Sequence, residues 1–199
     1  MHLLGGVFLS LSLLGCGGPV PPIEGAPDLA AVEPAPPPRT SDQILLKEGL
    51  EGRGMSPQEV ASLSDRMLSD GNSSLQDEKT MARLELLLLK TLKSGDKAPR
   101  ATLTRNLGII NYHQKKYKLA RQYLQQSNEL YPRSARTHFY LARLFAHQGL
   151  IDEGKGKKKI SKQQFKRAAI EMEQARKLEP NNSLYRQDIK QIVQSESGK

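Results

Sequence analysis

This 199-residue chain has no tryptophan, a single cysteine and only 5% aromatic residues. It also lacks the patterning of β-strands, whereas Leu, Lys, Gln, Arg and Ala are plentiful and favour helices. One cysteine excludes a metal site built from several thiolates. The sequence therefore predicts an all-α chain with an aliphatic core.

Recognisable catalytic motifs are also missing. The chain has no nucleophile elbow and no His-Glu-x-x-His sequence. The stretch GLIDEGKG, residues 149–156, approaches a phosphate-binding loop, but Gly156 replaces the hydroxyl residue that would hold Mg²⁺, and a helix precedes it instead of a strand. We expect a protein that is not an enzyme, with no cofactor and no metal. The alternative, an enzyme of cell-wall turnover, has no paired carboxylates to support it.

Acidic residues are scarce in the second half of the chain. Residues 98–199 contain twenty-one Lys and Arg against eight Asp and Glu, a net charge of +13. Residues 1–97 contain nine Lys and Arg against thirteen Asp and Glu, a net charge of −4. Such an imbalance indicates a partner or a surface of opposite sign, such as nucleic acid, anionic lipid headgroups or an acidic protein.

The N-terminus combines a short apolar run with the cysteine. Residues 3–14 are mostly apolar, which is typical of a signal-peptide core and too short to span about 30 Å of hydrocarbon. The following Leu13-Leu14-Gly15-Cys16 resembles the bacterial lipobox, Leu-x-Gly/Ala-Cys. That resemblance implies a diacylglycerol on the Cys16 sulfur and cleavage just before it. The preceding Met1-His2 lacks the usual positive charge, and the alternative is a buried helix with an incidental cysteine.

A lipobox implies the bacterial cell envelope. Gly17 stands where an aspartate retains enteric lipoproteins in the inner membrane, so the resemblance implies the outer membrane, facing the periplasm. Two or more acyl chains anchor firmly, because each buried CH₂ contributes ~0.8 kcal/mol. This compartment argues against nucleic acid as the partner. We expect residues 1–15 to form a lipoprotein signal peptide.

Residues 16–40 then form the lipidated cysteine and a proline-rich tether. Residues 18–40 hold eight of the twelve prolines. Proline fixes φ and removes a hydrogen-bond donor, so the segment favours extended polyproline II over a packed core. It is expected to be a disordered spacer that reaches roughly 70 Å when fully extended. A ligand for a proline-binding domain is the alternative.

Helical signals begin at Ser41 and continue through residues 41–97. Ser56, Pro57 and Glu59 have the spacing of a capping box with proline at the first helical position, and Gly71 follows the predicted end. The next segment, residues 73–95, carries a leucine stripe wide enough to be buried on more than one side. The stripe consists of Met81, Leu84, Leu86, Leu87, Leu88, Leu89 and Leu92.

An internal repeat occupies residues 98–180. Leu141-Ala142 follows Leu107-Gly108 by 34 residues, and His147-Gln148 follows His113-Gln114 by the same number. After Gly149 the register slips by fourteen residues before the pattern resumes. The matching positions are Tyr117, Ala120, Leu124, Ser127 and Pro132 in the first copy, and Phe165, Ala168, Met172, Ala175 and Pro180 in the second.

This pattern resembles the tetratricopeptide repeat (TPR), a helix–turn–helix unit of 34 residues. Small residues in that family lie where helix A crosses helix B, and a proline ends helix B. The resemblance covers residues 102–180 and implies an α-α superhelix of TPR-like hairpins. Two clear copies are fewer than the three or so usually needed. Residues 41–97 are therefore expected to add a cap or a degenerate repeat, and residues 181–199 a C-terminal capping helix and tail.

The TPR resemblance also implies a partner-binding groove. Positions 2, 5, 9, 12 and 13 of helix A line the concave face, which is basic here, with interleaved aromatics that suit an acidic or amphipathic segment. In the alternative interpretation, Ile109 and Phe139 pack against neighbouring helices. Arg105 and Ile109 replace the Lys and Asn of the carboxylate-clamp variety, so recognition of a C-terminal carboxylate is not implied. The predicted partner-binding residues are Arg105, Ile109, Tyr112, His113, Arg136, Phe139, Arg143 and His147.

A lysine-rich insertion near residues 150–164 separates helices A and B of the second copy. We expect an exposed loop that is either merely solvated or makes an electrostatic contact. Lysines near an anionic membrane contribute ~1 kcal/mol each, and an acidic protein would fit as well. The lysines are Lys155, Lys157, Lys158, Lys159 and Lys162.

Together these features predict a lipid-anchored TPR adaptor of the bacterial cell envelope, similar in architecture to pilotin-type TPR lipoproteins. It would bind an envelope protein through the groove and aid assembly of a secretion, pilus or outer-membrane complex. The alternative is a module that binds polyanions or a membrane surface through the lysine-rich loop.

Overall fold

The computed structural model describes residues 41–93 and 99–197, and the regular structure within them is helical throughout. The all-α fold class is thereby confirmed, while the predicted signal peptide, Cys16 and the tether lie outside these residues. None of the described helices is long and apolar enough to cross a membrane. The helices are α1 (Ser41–Leu50), α2 (Pro57–Met67), α3 (Glu78–Lys93), α4 (Arg100–His113), α5 (Tyr117–Leu130), α6 (Ala135–Gly154), α7 (Lys158–Leu178) and α8 (Ile189–Ser197), with short 3-10 turns at Ser73–Gln76 and Ser183–Arg186.

Helix α2 begins at the predicted capping box. The Glu59 backbone N–H donates to Ser56 Oγ over 3.3 Å, and the Ser56 backbone N–H donates to Glu59 Oε2 over 2.7 Å. These reciprocal bonds satisfy two backbone donors that a helix start leaves without partners. The bonds that Glu59 Oε2 accepts from the Ser56 backbone N–H and, over 2.9 Å, from the Ser56 hydroxyl lower the pKa of the Glu59 carboxyl.

Helices α1, α2 and α3 pack on one another, and α2 and α3 pack on α4. Leu84, Leu87 and Leu88 of α3 are buried in the main core. The predicted width of the leucine stripe is wrong at Leu86, which is 59% exposed because it faces away from the neighbouring helices. α3 is therefore buried along one broad face only.

Two antiparallel hairpins, α4–α5 and α6–α7, follow. The small residues predicted at their crossings are fully buried: Ala120, Ala142 and Ala168. A Cβ built on Gly108 would lie 2.6 Å from Leu124 Cγ, so only glycine permits the observed approach of α4 to α5. The sequence therefore located both crossings correctly.

The expected lysine-rich loop is wrong, because the insertion is helical. The α4–α5 turn closes with a 2.9 Å bond from Lys116 N–H to Asn111 O, and the α6–α7 turn with a 2.8 Å bond from Lys157 N–H to Asp152 O. These turns are 41 residues apart, so seven extra residues lengthen α6 and seven lengthen α7. Seven residues make almost two helical turns, about 10 Å, so each helix keeps its packing face.

Helix α8 confirms the prediction of a C-terminal helix, although it starts only at Ile189. It runs antiparallel to the second half of α6: Lys190 pairs with Glu153, and Glu196 pairs with Arg143. Its last turn consequently lies beside the middle of α6, where the concave residues were predicted.

Candidate functional site

The predicted groove residues do not form one continuous surface. Ile109 and Phe139 are 0% and 1% exposed, so their assignment to a partner-binding surface is wrong. Ile109 belongs to the main core, and the Phe139 ring lies 5.1 Å from the Tyr185 ring, centroid to centroid. The alternative interpretation, packing against neighbouring helices, is correct for both.

Two predicted groove arginines are engaged by α2. Arg105 forms an ion pair with Asp65, and Arg136 Nη1 lies 4.0 Å from Asp65 Oδ1. Arg136 Nη2 also donates to the carbonyl oxygen of Leu68, and Asn106 Nδ2 donates to Asp65 Oδ1 over 2.7 Å. Arg105 and Arg136 thus tie α4 and α6 to α2, and their role in binding a partner stays a prediction.

The remaining predicted residues converge on one cleft at the other end of α4 and α6, which we call the arginine cleft. It has a volume of about 430 Å³. It is lined by Tyr112, His113, Lys115, Tyr117, Arg143, His147 and Glu196.

Arg143 lies at the base of this cleft and is only 6% exposed. Its guanidinium carbon is 4.5 Å from the centroid of Tyr112, 4.7 Å from Tyr140 and 5.3 Å from Phe139. Desolvation opposes its charge, but the fields of Tyr140, Tyr112 and Glu196 outweigh that cost and raise the pKa of Arg143. A permanent cation is therefore held inside an aromatic cage.

Glu196 neutralises this cation. Its carboxylate pairs with Arg143 and accepts a 2.7 Å hydrogen bond from the Tyr112 hydroxyl. Burial, partly offset by Arg143, raises the pKa of Tyr112, so this phenol remains a proton donor at neutral pH. Sequence reasoning missed Glu196, because a glutamate in a polar C-terminal segment, 53 residues from Arg143, carries no local signal.

The two cleft histidines are neutral at physiological pH. Burial, helped by Arg143 and Arg136, lowers the pKa of His113 to about 4, and His113 Nε2 lies 3.1 Å from the Tyr140 hydroxyl oxygen. Burial also lowers the pKa of His147, whose ring lies 4.1 Å from that of Tyr117. No group of three or more potential metal ligands clusters within residues 41–93 and 99–197. His113 and His147 contribute ring faces and a hydrogen bond to the walls of the cleft.

The five lysines of the insertion occupy the α6–α7 turn and the first two turns of α7, and we call them the lysine tip. All five side chains are exposed. Within the part of the chain that the structure describes, none of them lies within ion-pair distance of a carboxylate. The tip is made of Lys155, Lys157, Lys158, Lys159 and Lys162.

The arginine cleft brings charged, polar and aromatic groups together. It presents a buried guanidinium, the exposed Lys115, a phenolic donor and aromatic walls. These groups match a carboxylate carried on a partly apolar segment. No family model, no curated protein and no solved structure matches this chain.

Proposed function

We propose that this protein is a lipid-anchored adaptor of the bacterial cell envelope, built on TPR-like hairpins, which binds an acidic segment of a partner protein in the arginine cleft. The observation that carries the proposal is Arg143, a buried cation inside an aromatic cage that opens onto a cleft of about 430 Å³. A buried cation needs an anionic partner, because an unpaired buried charge is costly. Glu196 fills that place in this structure, and a carboxylate of the partner protein would take it over.

Lys115 extends the preference for an anionic ligand to the protein surface. It is exposed at the turn after α4 and lines the cleft, whereas Arg105 and Arg136 are occupied by Asp65. An approaching acidic segment would meet Lys115 first and reach Arg143 below it. Such charge complementarity raises association rates as well as affinity.

The envelope location rests on the lipobox-like Leu13-Leu14-Gly15-Cys16. Mass spectrometry of the protein purified from a bacterial membrane tests it directly. We expect a mature N-terminus at Cys16 with a mass increment of two or three acyl chains. An unmodified thiol still preceded by Met1 would reject the anchor and the compartment together.

Binding through the cleft is tested by affinity capture from a detergent-solubilised envelope fraction. We expect Lys115→Glu to weaken capture of the partner roughly fivefold, the effect of about 1 kcal/mol of interfacial charge interaction. Lys166→Glu makes the same charge change on the exposed face of α7, outside the cleft, and is the matched control. Equal capture by both variants would reject the cleft as the binding site.

A second candidate function, contact with an anionic membrane or polyanion, is favoured by the geometry of the lysine tip. The two extra helical turns extend the α6–α7 hairpin, and its end carries five exposed lysines with no described ion-pair partner. Lysines near an anionic membrane surface contribute about 1 kcal/mol each.

Vesicle co-sedimentation separates this candidate from the adaptor. The protein is the full chain with Cys16→Ser, a substitution that removes the lipid anchor. The vesicles contain phosphatidylcholine with or without phosphatidylglycerol. Changing the five tip lysines to glutamine should weaken binding to anionic vesicles at least about tenfold. An isocharge control changes five other exposed lysines to glutamine: Lys79, Lys90, Lys93, Lys118 and Lys177. If the control loses as much binding as the tip variant, the net charge of the protein accounts for vesicle binding and the lysine tip has no special role.

A further inference from the structure

Helix α8 packs on the protein through three apolar side chains, of which Ile189 and Ile192 are only partly buried against the main core. Val193 is the one fully buried side chain among residues 189–196, and it packs in a small cluster with Ala146 and Ala168 that is separate from the main core. The Lys190–Glu153 ion pair at 3.0 Å is 39% and 51% exposed and adds little stability. Segments with so little buried apolar area open locally at low cost in free energy.

The last turn of α8 nevertheless makes a specific contact. Glu196 inserts its carboxylate between Arg143 and the Tyr112 hydroxyl, and these three side chains come from three different helices. Among the residues that line the cleft, Glu196 is the one carboxylate, while Lys115 and Arg143 are cations. The contact is therefore the kind that an acidic ligand of this cleft would make.

The pairing of Glu196 with Arg143 is incomplete. Arg143 Nη2 donates to Glu196, but the buried Arg143 Nε has no hydrogen-bond partner within the described residues. Glu196 itself keeps 35% of its side chain exposed. Bidentate pairing of arginine with a carboxylate is stronger than pairing through one hydrogen bond. A competing carboxylate that also accepted a hydrogen bond from Nε would therefore bind Arg143 more tightly than Glu196 does.

We propose that α8 is an internal ligand of the arginine cleft and that a helical segment of a partner protein, bearing one carboxylate beside small apolar side chains, displaces it. Val193 and Glu196 define the displaced contacts: an apolar side chain against Ala146 and Ala168, and a carboxylate on Arg143 one helical turn later. The identity of the natural occupant as a partner protein rests on the proposed function, whereas the competition with α8 stands on the contacts just described.

The test supplies α8 in trans. A fluorescein-labelled peptide with the sequence of residues 187–199 is titrated into the full-length protein and into full-length Val193→Asp, in which the buried charge drives α8 off its cluster. Fluorescence anisotropy should show binding at least about tenfold tighter to Val193→Asp, because in the unaltered protein only the fraction with α8 released is free to bind. Equal affinities would overturn the proposal.

Specificity is tested in the same assay. The peptide carrying Glu196→Gln, and the protein carrying Arg143→Gln together with Val193→Asp, should each lose at least about tenfold in affinity. Arg121→Gln in the Val193→Asp protein is the matched control, because Arg121 also stacks on an aromatic ring, 5.0 Å from the Phe145 centroid, but does not line the cleft. Indifference of binding to Glu196 and Arg143 would overturn the internal-ligand assignment.

A second variant guards against misfolding of Val193→Asp. Glu196→Gln in the full chain removes only the carboxylate and should raise affinity for the labelled peptide in the same direction. Peptide binding without capture of any envelope protein would reject the proposed function and leave the internal ligand standing. Partner capture that is equally strong with Val193→Asp and unaltered protein would reject the internal ligand and leave the adaptor standing.

Discussion

The two hairpins α4–α5 and α6–α7 close with the same hydrogen-bonded turn but differ in length and in what the turn serves. In the first, the turn residue Lys115 lines the arginine cleft, whereas in the second the turn lies at the end of two extra helical turns and carries the lysine tip. A pair of seven-residue insertions thus moves a turn by about 10 Å while the packing faces stay in register. A repeated core therefore supports two different surfaces.

The hairpins also differ in the small residue of their first helix at the crossing. Gly108 allows α4 to approach α5, while Ala142 occupies the corresponding position of the second hairpin. Gly108→Val should destabilise the protein by about 3 kcal/mol, because the added carbons overlap the fully buried Leu124 and the core must shift. Urea unfolding followed by circular dichroism measures this change.

The control for this largest effect lies on the second hairpin. Gly154 is at the end of α6, and a Cβ built there would meet nothing within 4 Å. Gly154→Val should change the free energy of unfolding by less than about 0.5 kcal/mol, since valine suits a helix slightly better than glycine. A loss as large as that of Gly108→Val would show that the β-branched side chain itself, and not contact between the helices, sets the cost.

We expect a histidine of each hairpin to change the stability of the protein with pH, and the two effects to have opposite signs. His113 of α4 has its pKa lowered to about 4 by burial, helped by Arg143 and Arg136. As the pH falls from about 6.5 to 4, the unfolded chain binds a proton that the folded protein refuses, so stability is lost in that window. The loss should be about 2 kcal/mol and should be absent in His113→Gln. Parallel pH slopes for the two proteins, measured by urea unfolding at pH 7, 6 and 5, would contradict this.

His138 of α6 has the opposite behaviour. Its Nδ1 lies 2.7 Å from Glu171 Oε2 and its Nε2 lies 2.8 Å from Pro132 O, so both ring nitrogens face acceptors and donate when the ring is protonated. Glu171 in particular raises the pKa of His138. The stabilisation is complete below the unfolded pKa of about 6.5 and is lost as the pH rises through the raised folded value.

His138→Gln should therefore cost about 1.5 kcal/mol at pH 6, the lower end of the range for a hydrogen bond to a charged group, and less at pH 9. The measurement is urea unfolding of both proteins at the two pH values. Glu171→Gln provides an independent check, because it removes the anion and keeps the histidine. A cost that grows with pH in either variant would show that His138 is held neutral.

Local signals in the sequence were sufficient for much of the fold. The capping box at Ser56 and Glu59 depends on residues three apart, and the crossing at Gly108 depends on spacing within one hairpin. The extension of α6 and α7 was not predictable in the same way. A slip of fourteen residues is compatible with a loop or with two added heptads, and the glycines and lysines of residues 154–159 favoured the loop.

The candidate site was harder to predict because its electrostatics are long-range. The arginines on α4 and α6 were recognised as one basic face, but Asp65 lies 40 residues before Arg105 and Glu196 lies 53 residues after Arg143. No periodic pattern links such pairs. Burial of Ile109 and Phe139 likewise depends on which helices meet them, and one helix alone does not carry that information.

The turns of the two hairpins differ in which residue takes the left-handed backbone conformation, and we expect only a small effect on stability from changing it. Lys115 has φ +60° and Gly156, at the equivalent position of the longer hairpin, has φ +70°. A side chain in this left-handed region is strained, whereas glycine adopts it freely. Lys115→Gly should stabilise the protein by about 0.5–1 kcal/mol, and Gly156→Ala should destabilise it by a similar amount, since nothing lies within 4 Å of a Cβ there. Thermal unfolding of both variants measures the two changes in stability. A loss of stability in Lys115→Gly would mean that the lysine side chain stabilises the first turn by more than its backbone strain destabilises it.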